Sequence, residues 1–220
     1  MIPLKDDIQH HSFPIVNVLL IAVNVLFFAF ELSLGPGLNN YIYTHAVIPA
    51  QLLTAGLTLE QFARLTTTMF LHGGWLHLLS NMLYLWIFGD NVEDRMGHFR
   101  YLLFYLLCGY IATFAHILVD PFSTTPLVGA SGAIAGVLGA YLILFPRANV
   151  LTLVFVIIFI QVIHIPAVIF LGLWFLLQLL NVTAFSGQGA ESVAFWAHIG
   201  GFIAGVVLVK FFARKRAMYY

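Results

Sequence analysis

The chain has 220 residues, 61% of them apolar and 8% charged, and a formal net charge of zero. Soluble domains carry roughly 25% charged residues, so this composition excludes a water-soluble globular protein and points to a polytopic membrane protein with one embedded domain. High hydropathy along the whole chain fits neither a cleaved signal peptide nor a single anchor, and the lone Cys108 excludes an intramolecular disulfide and a cysteine-based metal framework.

Residues 1–14 are short and polar, with Lys5, Asp6, Asp7, His10 and His11, and read as a soluble tail that ends at Pro14. Span one runs from about Ile15 to Leu34, near the ~20 residues a bilayer core requires, and carries Asn17 and Asn24 as interhelix hydrogen-bonders. Gly35-Pro36-Gly37 stops it. From Leu38 to Met69 the chain mixes apolar residues and aromatics with only Glu60 and Arg64 as charges, a pattern that predicts helical turns lying in the membrane interface.

Span two follows Gly73-Gly74 and covers about Trp75 to Asn91, including His77 and Asn81; span three covers about His98 to Val119. Glu93, Asp94 and Arg95, between them, read as a solvated inner turn with one helix-tethering bond. Span four, Ser131 to Phe145, is short enough to begin below the surface. Val150 to Phe185 holds roughly 35 mostly apolar residues, too many for one perpendicular helix, and Pro166 divides it. The last span runs from about Val193 to Phe212, ahead of Arg214-Lys215-Arg216.

Charge placement orders these spans. With the amino terminus cytoplasmic, Lys5, Arg95, Arg100, Arg147, Lys210, Arg214, Lys215 and Arg216 all fall inside, and Arg64 alone lies outside. Arg147 and the tail then share a side, so the chain between them crosses an even number of times. The segment before Pro166 is placed in or near the inner interface, and Ala167 to Val182 crosses. The expected fold is an all-α membrane protein of six transmembrane helices with both termini cytoplasmic: a tail at 1–14, a membrane domain at 15–212 and a basic tail at 213–220.

Gly129-Ala130-Ser131-Gly132 is the stretch that carries chemistry. A serine flanked by residues almost without side chains is open to close approach, and it needs a base within hydrogen-bond reach to act as a nucleophile. Depth discriminates among the nine histidines. Ser131 stands 16 residues above Arg147, about 24 Å along a helix axis, and His198 is 12 to 16 residues above Lys210 and Arg214, roughly 18 to 24 Å. Asn81 is 14 residues above Arg95, about 21 Å, with His77 one turn higher. His116 and His164 offer no such pairing. Small residues at four-residue spacing, Gly132, Gly136 and Ala140 on span four and Ala197, Gly201 and Gly205 on span six, predict that these two spans touch. That contact brings His198 toward Ser131 as general base. His77 and Asn81, at i and i+4 on one face, are suited to donate to an oxyanion together with the Ser131 backbone N–H. No Asp or Glu lies at this level of spans four and six, so the arrangement is a Ser-His dyad.

The set His77-Leu78-Leu79-Ser80-Asn81, Gly129-Ala130-Ser131-Gly132 and Ala197-His198-Ile199-Gly200-Gly201 resembles the rhomboid family of intramembrane serine proteases, over essentially the whole chain and in the family's order. The resemblance implies Ser131 as nucleophile, His198 as general base, and His77 and Asn81 as oxyanion donors. It matches His72 to a structural histidine before the second helix, and Glu93 with Arg95 to a polar pair at that helix's inner end. It further implies lateral substrate admission between spans two and five, with Trp174 on the moving helix, and substrates with a small residue before the cut and a helix-destabilising stretch after it. Two departures stand out: Ala63-Arg64 occupies a position where the family often has Trp-Arg, and Ala135 replaces an aromatic that in some members stacks on the histidine.

The functional expectation is therefore an intramembrane serine endopeptidase acting on transmembrane or juxtamembrane segments of membrane proteins within the lipid bilayer, without metal, cofactor or nucleic acid. A multi-pass location in a bacterial inner membrane is expected, with a wet pocket between spans two, four and six opening to the outer face under a loop from Ser186 to Val193. A transporter would favour inverted repeats and carboxylates within the spans. A catalytically silent relative would lack the serine or the histidine. A zinc protease would need His-Glu-x-x-His. None of these patterns is present.

Overall fold

The computed structural model describes residues 1–9, 11–156, 159–184 and 192–214. Nine α-helices form its bulk among the described residues: α1 (Ile15–Ser33), α2 (Leu38–His45), α3 (Pro49–Ala55), α4 (Leu59–Thr67), α5 (Trp75–Met96), α6 (His98–Val119), α7 (Ser131–Leu144), α8 (Ala167–Ala184) and α9 (Ser192–Phe212). The expected spans fall on α1, α5, α6, α7, α8 and α9 with small shifts at their ends, and the mixed stretch after span one is the expected succession of short helices. By length and composition α1, α6 and the Phe195–Phe212 part of α9 are sufficient to cross a bilayer, whereas the apolar runs in α7 and α8 are shorter.

The all-α expectation requires correction. Three strands, β1 (Ile2–Asp6), β2 (Asn149–Val156) and β3 (Phe159–Pro166), form an antiparallel sheet in the order β1-β2-β3. The hairpin registers Asn149 against Pro166 and Val156 against Phe159, and β1 adds to it with Ile2 opposite Leu153 and Asp6 opposite Val150. Valine, isoleucine, threonine and phenylalanine dominate this stretch, and such side chains fit a pleated surface better than a helix. The period of two is masked because apolar residues occupy both faces, with Phe155, Ile160, Val162 and Ile163 exposed.

Residues 1–14 are likewise not a free tail. Asp6 accepts from Asn91 Nδ2 at 2.9 Å and from the Tyr141 hydroxyl, and Asp7 accepts from the backbone and side chain of Asn149 at 2.8 Å each. His10, Lys215 and Arg216 lie outside the described residues.

Glu93 corrects a further expectation. It is wholly buried rather than solvated, and its carboxylate accepts the backbone N–H groups of Val16 and Asn17 at 2.9 and 2.7 Å and bonds His98 Nδ1 at 2.5 Å. These are the open donors of the first turn of α1, which Pro14 and Ile15 leave without a side-chain cap. The tether foreseen at this position is therefore present, at the level of a buried helix cap. Beside it Asn17 donates to the Leu85 carbonyl at 2.9 Å and accepts from the Tyr101 hydroxyl at 2.8 Å, tying α1, α5 and α6 together.

Candidate active site

Close approach of α7 and α9 sets the site. A Cβ on Gly201 would collide with the Gly132 carbonyl oxygen, and one on Gly205 with the Gly136 carbonyl oxygen. Backbone therefore lies on backbone along the two small-residue ridges, the packing that lipid-embedded helices favour. The predicted contact between these elements is present, and it carries Ser131 at the start of α7 and His198 in the second turn of α9 to one place.

That place is a cavity of about 330 Å³ lined by His77, Ser80, Asn81 and Tyr84 of α5, Ser131 of α7, Trp174 and Gln178 of α8, and His198 of α9. All four expected site residues are thus brought together. The wall from α8 is an addition, because the pocket was expected between three helices only. No hydrogen bond joins the Ser131 hydroxyl to the imidazole in this structure. Instead His198 Nδ1 lies 2.9 Å from Gln178 Oε1, and His198 Nε2 has no hydrogen-bond partner among the described residues. Asn81 is buried, and its Nδ2 is also without a partner among the described residues. A buried donor and a buried basic nitrogen, both open beside one serine hydroxyl, are arranged for a ligand rather than for cohesion.

The loop before Ser131 is pinned from below. Gly129 N–H donates to the Thr68 carbonyl at 3.0 Å, and Thr68 Oγ1 donates to the Leu127 carbonyl at 2.9 Å while accepting from Val47 N–H at 2.7 Å. Gly129 has φ +121°, and a Cβ there would stand 2.7 Å from His77 Nε2, so both backbone strain and the approach of that imidazole demand glycine. His77 Nδ1 accepts from Gly73 N–H at 3.3 Å, and the His72 ring meets the His77 ring edge-on at 5.1 Å. His72, in the loop before α5, is buried; burial first, then the neighbouring His77, lowers its pKa to about 4, which keeps it neutral. A second cavity of about 190 Å³ adjoins, lined by Thr68, Met69, Thr113 and Leu127, and shares His77, Val128 and Ser131 with the first. Ser131 stands at the junction of the two.

Where the family often has Trp-Arg, Arg64 is anchored without the tryptophan: its guanidinium donates to Gln51 Oε1 at 3.0 Å and Glu60 Oε1 at 2.7 Å. His116 is buried in α6 and His164 lies on β3, and neither lines the cavity. Most of the loop expected to cover the site, Ser186 to Val193, lies outside the described residues.

The sequence pattern of the Rhomboid domain matches residues 59–215, which takes in every helix of the cavity. The chain belongs to the rhomboid family. It is similar to Rhomboid protease GluP of Bacillus subtilis (strain 168), 36% identical over 130 residues that make up 59% of this chain and 24% of that protein. It is similar also to Putative rhomboid protease YdcA of the same organism, 32% identical over 130 residues, 59% of this chain and 62% of that one. Rhomboid-like protein 11, chloroplastic, of Arabidopsis thaliana is 32% identical over 152 residues, 65% of this chain and 50% of its own. The chain therefore spans less than two thirds of each relative's length. As a rhomboid, it is a multi-pass integral membrane protein.

Proposed function

We propose that this rhomboid is an intramembrane serine endopeptidase that hydrolyses peptide bonds in transmembrane or juxtamembrane segments of other membrane proteins. The observation that carries the reading is the sharing of one cavity by the Ser131 hydroxyl, the open Nε2 of His198 and the open Nδ2 of Asn81. Ser131 Oγ attacks the scissile carbonyl carbon as His198 Nε2 takes its proton. The tetrahedral oxyanion is held by Asn81 Nδ2, His77 and the Ser131 backbone N–H. As the C–N bond breaks, the imidazolium returns the proton to the leaving amine. Water then loses a proton to His198, attacks the Ser131 ester and releases the acid, with the proton passing back to Ser131. The step requires the Ser131 to His198 distance to shorten when substrate binds, as catalytic hydrogen bonds commonly tighten in the complex.

In the same reading six helices cross the membrane with both termini in the cytoplasm, the cavity opens to the outer face of a bacterial inner membrane, and residues 15–212 are the membrane domain, with the amino-terminal strand β1 docked on its inner side. Ser131→Ala tests the chemistry. Purified full chain in detergent, given a model single-span substrate, should cleave it, and the variant should not. Equal cleavage by both removes Ser131 as nucleophile; absence of both cleavage and fluorophosphonate labelling in the unaltered protein removes the protease reading.

A further inference from the structure

We infer that Gln178 is the positioning residue of the His198 imidazole, holding it in the tautomer with its proton on Nδ1 so that Nε2 is free to accept the Ser131 proton. This assignment rests on the protease reading above and names a role for a residue that the Ser-His pair alone does not contain. Its basis is the direction of two hydrogen bonds. Gln178 Nε2 lies 3.4 Å from the Trp174 carbonyl oxygen, one turn back on α8. A carbonyl can only accept, so the carboxamide nitrogen belongs on that side and its oxygen belongs on the side of the imidazole. Oε1, 2.9 Å from His198 Nδ1, can in turn only accept. The ring nitrogen facing it must therefore carry the hydrogen, and in a neutral imidazole Nε2 is then the lone-pair nitrogen.

Burial gives this chain of donors its force. Gln178 is 8% exposed, and each end of its amide already has a partner, the Trp174 carbonyl on one side and the imidazole on the other. The Trp174 ring stands 5.9 Å from the His198 ring and the Phe195 ring 6.5 Å, which restricts the imidazole laterally. These three contacts occupy the role of the stacking aromatic that Ala135, fully buried in the core of α7, has no side chain to supply. A carboxamide orients the ring without titrating. Unlike a carboxylate, it adds no charge to hold the imidazolium, so the pH at which the base becomes active is left to the cavity.

The test compares the full-length protein with Gln178→Leu and Gln178→Glu in detergent. Removal of the acceptor in Gln178→Leu should lower kcat on the order of 10²-fold while KM stays within about two-fold, the signature of a lost transition-state contribution. Gln178→Glu keeps an acceptor at the same place, so it should recover much of the rate and move the acid limb of the kcat profile to higher pH, because a carboxylate stabilises the imidazolium. Unchanged kcat in Gln178→Leu, or an unmoved acid limb in an active Gln178→Glu, overturns the assignment. Nitrogen-15 NMR of labelled histidine decides it without substrate: the His198 resonances should report an Nδ1–H ring in the unaltered protein that is lost in Gln178→Leu, and an Nε2–H ring in the unaltered protein overturns it. Failure of the unaltered protein to cleave or to label at Ser131 would count against the protease reading, while the tautomer still decides the place of Gln178.

Discussion

The carboxylate of Glu93, with no solvent exposure, accepts the backbone N–H of Asn17 at 2.7 Å, so the inner end of α5 caps the beginning of α1. Glu93→Ala removes the acceptor and strands two donors, a half-buried one at Val16 and a buried one at Asn17. The expected cost is about 3 kcal/mol, because each bond to a charged acceptor contributes about 1.5–3 kcal/mol. Thermal unfolding in detergent reads it, with Glu93→Gln falling between. A melting temperature unchanged in Glu93→Ala would show that water caps α1 equally well.

Gly205 and Gly172 make a matched pair. Any side chain at Gly205 meets the Gly136 carbonyl oxygen, whereas a Cβ on Gly172 finds nothing within 4 Å. Gly205→Val should separate α7 from α9, destabilise the protein by about 1–3 kcal/mol or more and abolish cleavage, since Ser131 and His198 are carried by these two helices. Gly172→Ala should leave stability within about 0.5 kcal/mol. Equal behaviour of the two variants would contradict backbone contact between the ridges.

Asp6 gives the protein a pH dependence at its amino-terminal strand. Burial first, and the neighbouring Asp90 and Asp7 charges, raise its pKa to about 6 against the hydrogen bond from Tyr141, which lowers it. A raised carboxyl favours the protonated form in the fold. Its contribution to stability is complete below the unfolded value near 3.8 and is lost as pH rises through about 6. Melting temperature should accordingly fall between pH 4 and pH 7 by an increment that Asp6→Asn removes. Parallel curves for the two proteins would refute the coupling.

Asn81→Ala should lower kcat by about 10²- to 10³-fold with little change in KM, the loss typical of a single oxyanion donor. Fluorophosphonate labelling of Ser131 should slow in step. If Asn81→Ala cleaves at the ordinary rate, the open Nδ2 serves something other than the developing charge.

Helix positions and the meeting of α7 with α9 were legible in the sequence because both depend on short-range rules: a run of about 20 apolar residues, and glycines four apart. The four residues of the proposed site share one depth, and depth is a count along a helix. The sheet was not legible, since Val150 to Ile165 is apolar on both faces and its alternation has no polar phase to mark it. Glu93 beside Asp94 and Arg95 has the look of a solvated turn, and its burial follows from where the open N–H groups of α1 happen to fall. Gln178 and His198, separated by 20 positions in sequence, are joined only by the angle at which α8 leans on α9.

The helix α8 is fastened at its foot. Ala167, Phe170 and Leu171 are buried there, and Ala167 N–H is held by the Ala148 carbonyl at 2.7 Å, while Leu176, Leu177, Leu179 and Leu180 farther up are exposed. A rod held at its base travels farthest near its tip, so a tilt of this helix wide enough to admit a bulky guest would also withdraw the carboxamide of Gln178 from the imidazole. Admission and proton abstraction would then take turns, with the base set in order only once the door has swung back.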